Sequence, residues 1–138
     1  MIYLIIGEKG KGKTKILLER ANTQIRTANG NIVYLDKSKQ HMYELNNRIR
    51  LIDVTGFPIE NTDAFTGFLC GLISRDNDLE MVYLDSFLKI AQIPGEDVSY
   101  ALDKIISLSR KYDVDFTISI SVTKAQLPER FFEYIVNE

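Results

Sequence analysis

The chain has 138 residues, 17 basic and 19 acidic side chains, a net charge of −2 and about 45% hydrophobic residues. That suits one domain over residues 1–138, with enough core to fold without disulfides or a structural metal. The single cysteine, Cys70, excludes a disulfide framework and zinc-finger spacing, and the lack of a basic excess gives no indication of nucleic acid as a partner.

The opening run Met1-Ile2-Tyr3-Leu4-Ile5-Ile6 has no basic segment before it. It is too short for a signal peptide or a membrane span and predicts a buried strand over 2–6. No other stretch reaches membrane length, so the expected setting is a reducing cytoplasm, without a membrane partner. A helix is expected from about Lys13 to Ala28, with Leu17, Ala21, Ile25 and Ala28 on one face and Gly30 as its stop. A second strand covers Asn31 to Leu35 and ends at Asp36, and a weaker helix covers about Lys39 to Asn47. A third strand runs from Ile49 to Val54, before the breakers Gly56 and Pro58. The next helix starts near Thr62 or Asp63, either of which could cap it, and buries Ala64, Phe65, Phe68, Leu69, Leu72 and Ile73. The fourth strand spans Glu80 to Leu84 and ends at Asp85. Pro94-Gly95 breaks the chain before a helix at about Asp97 to Tyr112, whose inward face is Val98, Ala101, Leu102, Ile105, Leu108 and Tyr112. A fifth strand follows over Phe116 to Val122, and Pro128 opens a final helix reaching about Val136.

Strands alternating with helical stretches predict an α/β fold, a three-layer α/β/α sandwich around a five-stranded, mostly parallel sheet. Right-handed crossovers put helices on both faces, and ligands of such sheets sit at the carboxyl ends of the strands. Gly7, Asp36, Asp85 and Ser121 all lie at or near those ends and should converge.

Residues 7–14 read Gly7-Glu8-Lys9-Gly10-Lys11-Gly12-Lys13-Thr14, a complete phosphate-binding loop between an apolar strand and an amphipathic helix. The glycines let backbone N–H groups turn inward and let phosphates approach closely, and the helix that follows favours an anion at its start. Lys13 can reach the outer phosphates and the Thr14 hydroxyl can ligate Mg²⁺. Binding of a nucleoside triphosphate with magnesium follows, with residues 7–14 and Lys15 forming the binding segment. The basic cluster Lys9, Lys11, Lys13 and Lys15 reads as serving these phosphates rather than DNA. A second part of such a site is an aspartate at the end of a buried strand that holds magnesium, and Met81-Val82-Tyr83-Leu84-Asp85 supplies one. Asp85 as an ordinary turn residue is the alternative. For the group that orients the attacking water, Ser86 stands where many hydrolytic relatives carry Glu. Asp36 is the nearest substitute, with Asp53 more distant, and Asp36 as a plain turn former is the competing reading.

These pieces together resemble the ATPase core of the RecA family, including its KaiC and DnaB-like branches. The matching segments are the loop at strand one, Ile32-Val33-Tyr34-Leu35-Asp36, Val82-Tyr83-Leu84-Asp85-Ser86 and Ile118-Ser119-Ile120-Ser121. The resemblance implies ATP as the nucleotide, Asp36 in the place of a catalytic Glu, Lys37 where a second acid often occurs, and Ser121 as a polar sensor of the γ-phosphate or its water. It also implies P-loop NTPase topology, with strand five between strands four and one. The residues after strand five leave no room for the family's later strands and DNA-binding loops, so recombinase and helicase activity are not carried over. The loop is not of the MinD-like form, which needs lysine directly after the first glycine, where this chain has Glu8.

Without those later strands, strand one would be an exposed edge. Residues 127–136, rich in Phe131, Phe132, Tyr134 and Ile135, are expected to cover it, or the protein to self-associate through that edge or the final helix. Ordinary packing of a last helix is the plainer reading. Arg75, Arg110 and Arg130 read as surface residues and Lys124 as a candidate cation across a subunit interface. His41 reads as a surface residue, Cys70 as a small packed hydrophobe, and Tyr83 and Phe87 as packing residues. The leading expectation is a Mg-dependent ATPase of low intrinsic activity. The alternatives are a small-molecule kinase or nucleotidyltransferase, as the adenosylcobinamide kinases are on a similar core, or a non-catalytic nucleotide-binding regulatory module. An acceptor would sit around Lys37 to Tyr43 or Gly56 to Asp63.

Overall fold

Parallel strands that are apolar on both sides need cover on both faces, and the fold provides it. The computed structural model describes residues 1–10, 12–93 and 98–137. Strands β1 (Ile2–Ile6), β2 (Asn31–Asp36), β3 (Arg50–Asp53), β4 (Leu79–Leu84) and β5 (Asp115–Ile120) form one sheet in the order β1-β5-β4-β2-β3. Every pairing is parallel. The fifth strand therefore lies between the first and the fourth, as expected for it.

One face packs on α1 (Lys13–Gln24), where Ile5, Ile32 and Tyr34 from the strands meet Leu17, Ala21 and Ile25. The other face packs on α2 (Thr62–Arg75), α3 (Phe87–Ile90) and α4 (Val98–Tyr112), with Leu4, Leu35, Phe65, Leu84, Phe116 and Ile118 in one large cluster. Among the described residues, no helix is long and apolar enough to cross a membrane.

Several boundaries differ from expectation for local reasons. Helix α1 stops at Gln24, and Ala28 closes only a turn by donating to the Gln24 carbonyl at 3.0 Å. Gly30 acts by close packing, since a Cβ there would lie 2.2 Å from the Asp78 carbonyl oxygen. The helix expected over 39–47 is absent, and turns replace it. The Asn46 side chain accepts from the Arg48 N–H at 2.9 Å, a local bond that competes with helix, and of residues 39–47 only Leu45 is buried. Strand β3 is shorter than expected because Val54 already belongs to a 3₁₀ turn. Helix α2 is capped by Asn61, whose side chain accepts from the Ala64 N–H at 2.8 Å, rather than by Thr62 or Asp63.

On α4, Ile106 and Ser109 are buried and Tyr112 is exposed. The Pro94-Gly95 break and the start at Asp97 lie outside the described residues. Cys70 is exposed, not packed. Strand β5 ends at Ile120, two residues short of the expected Val122.

A 3₁₀ turn over Lys124–Gln126 precedes Pro128, and the final helix is replaced by a 3₁₀ segment, Glu129–Tyr134, after which the chain extends along β1. Ile135 forms a parallel bridge with Leu4, and the Val136 N–H donates to the Leu4 carbonyl at 3.0 Å. The Asn137 side chain accepts from the Ile6 N–H at 3.0 Å and donates to the Ile6 carbonyl at 2.7 Å. Phe131 is fully buried in the large cluster. The β1 edge is thus covered by the chain's own terminus, which blunts a surface that would invite strand pairing.

Candidate functional site

The loop between β1 and α1 takes a backbone path that glycine permits. Gly7, Gly10 and Gly12 have φ of 145°, 84° and 79°. The Gly7 N–H donates to the Val122 carbonyl at 2.9 Å, which ties the loop to the end of β5. Gly12 precedes α1 with no side-chain cap, and no acidic residue lies in the first turn. Among the described residues no side chain caps the helix start, and N–H groups and a dipole so placed favour negative charge. The Lys13 ammonium donates to the Glu8 carbonyl at 2.8 Å, curling over the loop. Burial lowers its pKa, and the nearby Asp85 carboxylate acts in the opposite direction.

Asp85 follows β4 and is nearly fully buried. Four groups hold it in place. Thr14 Oγ1 donates to its Oδ1 at 3.2 Å and Ser119 Oγ donates to the same oxygen at 2.8 Å. Tyr34 Oη donates to Oδ2 at 2.8 Å, and the Asp85 N–H donates to the Leu35 carbonyl at 3.0 Å. Burial, then the Asp85 charge, raises the Tyr34 phenol far above its ordinary pKa, so it remains a donor. The Ser119 hydroxyl also accepts from the Ser86 N–H at 2.8 Å, and Ser86 adopts left-handed backbone, φ 54°, at the start of α3. Thr14 and Asp85 thus offer two neighbouring hard oxygen donors. That chemistry fits Mg²⁺, which keeps several waters and takes few protein ligands. Among the described residues, no cluster of three or more His, Cys, Asp or Glu side chains could hold a metal unaided.

Asp36 ends β2 on the same face as Tyr34, by the two-residue period of a strand. It is buried, its Oδ1 accepts from the Lys37 N–H at 2.7 Å, and its Oδ2 has no partner among the described residues. Burial pushes its carboxyl up to about 6, with the Lys37 hydrogen bond opposing and the Asp85 charge adding. Asp53 sits opposite Asp36 in the β2–β3 register but is engaged elsewhere. It caps a turn by accepting from the Thr55 N–H at 2.9 Å and the Thr55 hydroxyl at 2.6 Å, which lowers its pKa.

A cleft of about 480 Å³ opens over the loop and Asp85, lined from the loop by Lys9, Gly10, Gly12, Lys13 and Thr14, while neither Asp36 nor Asp53 is part of its lining. Asp85, Ser86, Ser119 and Ser121 line it from the ends of β4 and β5, and Lys37 and Lys89 complete it. Gly7 and Glu8 support the loop from behind through the bonds described. Lys15 is exposed outside the lining, and Lys11 lies outside the described residues. Ser121 reaches the cleft, but Ser119 is the serine that touches Asp85. Tyr34, Ser119 and Lys89 were not singled out from the sequence. A signal for two of them exists: Thr117, Ser119 and Ser121 place a polar group at every second residue of an otherwise apolar stretch, and Tyr34 is the one polar-tipped residue in Ile32-Val33-Tyr34-Leu35.

The other named residues lie away from the cleft. His41 pairs with Glu44, Arg130 makes a two-pronged pair with Asp103, and Lys124 lies over the Phe132 ring. Tyr83 and Phe87 are buried, as expected of packing residues. No protein-family model matches the chain, and no curated protein sequence matches it at a significant level.

Proposed function

We propose that this chain binds a nucleoside triphosphate with magnesium, ATP being the first candidate, and hydrolyses it slowly on a compact RecA-like P-loop core. The observation that carries the reading is the 3.2 Å contact of Thr14 with Asp85 beneath an uncapped helix start and a glycine loop. Residues 71 positions apart in the chain meet where a phosphate-bound cation would need them.

The reading gives each residue a role. Loop N–H groups and the start of α1 donate to phosphate oxygens, and Lys13 exchanges the Glu8 carbonyl for a phosphate oxygen. Thr14 and Asp85 would hold magnesium, which supplies charge neutralisation on the outer phosphates. Tyr34 and Ser119 hold the Asp85 carboxylate in one orientation. Asp36, with an unpartnered oxygen and a pKa near neutrality, orients water and accepts its proton. Ser121, which lines the cleft, contacts the outermost phosphate.

The test is phosphate release from Mg-ATP by the purified protein, with Lys13→Ala as the blank. Release that vanishes in the variant supports hydrolysis. No release above the blank, in protein that binds ATP, removes the stand-alone ATPase reading.

Phosphoryl transfer to a small acceptor is a second reading. It is favoured by Tyr43 and Phe57, both exposed, in the two stretches where an acceptor would sit. ADP formation that depends on an added acceptor would establish it.

A further inference from the structure

The cleft holds an excess of positive charge that the roles above do not use. Among the described residues, Lys9, Lys13, Lys37 and Lys89 line it against the one carboxylate of Asp85. Lys9 and Lys13 belong to the loop, but Lys37 comes from the turn after β2 and Lys89 from α3. Among the described residues, none of Lys9, Lys37 and Lys89 has a carboxylate partner. Both newcomers stand on anchored backbone. The Lys37 N–H is bonded to Asp36, and α3 is pinned by buried Phe87 and Ile90, leaving Lys89 on its outer side. The charges are close enough to oppose each other: Lys37, then Lys9, lowers the Lys89 pKa. Like charges gathered without a counter-ion are relieved when an anion binds between them.

We propose that Lys37 and Lys89 grip the outermost phosphate of a bound triphosphate, so that the site discriminates nucleoside triphosphate from diphosphate with cations of its own chain. This rests on the nucleotide reading above and adds to it a source of selectivity that needs no residue from a second subunit. The loop N–H groups hold phosphates common to both nucleotides and Lys13 reaches both outer ones, whereas a grip from the β2 and α3 side acts on the additional phosphate alone. Each lysine acts as a point charge, so arginine can replace it in charge though not in shape.

The experiment is calorimetric titration at fixed ionic strength with magnesium and either a non-hydrolysable triphosphate analogue or the diphosphate, in adenine and guanine forms. Wild type is compared with Lys37→Ala, Lys89→Ala, the double variant and the Lys37→Arg/Lys89→Arg pair. Lys104→Ala, on α4 away from the cleft, controls for loss of a surface charge. The double alanine variant should weaken triphosphate binding at least tenfold and leave the diphosphate within about twofold, with arginine restoring part of the difference. Equal weakening of both ligands, or no weakening of either, overturns the proposal while the nucleotide reading stands. Wild type that binds neither ligand overturns both.

Discussion

Tyr34 donates its phenolic proton to Asp85 Oδ2 across 2.8 Å, from a strand that is the immediate neighbour of β4 in the sheet. Both side chains are buried, so the bond is shielded from water and one carboxylate oxygen is committed to it. Ser119 and Thr14 occupy the other oxygen. Tyr34→Phe keeps the ring but leaves Oδ2 with one partner fewer. A hydrogen bond to a charged group contributes about 1.5–3 kcal/mol, so urea unfolding should show a loss of that order. A change below about 0.3 kcal/mol would mean that Tyr34 only packs. In the hydrolysis assay, the same variant should need more magnesium for half-maximal rate.

Removal of Lys13 should separate function from folding. Its ammonium is desolvated and bonded to a carbonyl, and burial lowers its pKa. Lys13→Ala should unfold within about 0.5 kcal/mol of wild type while phosphate release falls at least about a hundredfold. A variant that keeps its activity would take the loop out of the chemistry.

Asp36 gives the fold a pH dependence with a definite sign. Its carboxyl is raised from 3.8 to about 6 in the folded protein. Between those pH values the folded state retains a proton that the unfolded chain has released. The associated stability is complete below the lower value and is lost as pH rises through about 6, a total on the order of 3 kcal/mol. Asp36→Asn has no such loss, so it should gain on wild type between pH 4 and pH 8 in urea unfolding. An identical difference at both pH values would show that Asp36 does not ionise in this way.

The same carboxyl should appear in the kinetics. A group that accepts a proton from water must first be ionised, so kcat/KM for phosphate release should rise with pH to a plateau with a midpoint near 6. Asp36→Asn should be slow and lack that limb. A limb that persists in the variant would assign it to another group.

The C-terminal strap can be tested by truncation. Removing residues 135–138 deletes the Leu4–Ile135 bridge and both Asn137 bonds to Ile6, exposing the β1 edge. Loss of about 1–3 kcal/mol of stability and concentration-dependent association in light scattering are expected. A monomer as stable as the full chain would show that the strap is dispensable.

The loop, the strand positions and the buried aspartates were legible in order along the chain because each depends on local chemistry. Glycine spacing sets backbone freedom, an apolar run marks a buried strand, and Lys13 and Thr14 follow the loop directly. Local signals misjudged residues 39–47 and the final segment, where side-chain bonds and the open β1 edge outweighed helical spacing. Tertiary structure alone decided which residues meet. Thr14, Tyr34 and Ser119 come from α1, β2 and β5, Asp85 from the end of β4, and Lys37 and Lys89 from the turn after β2 and from α3. Their meeting follows from strand order and register, which are set by burying both faces of the whole sheet and not by any one segment.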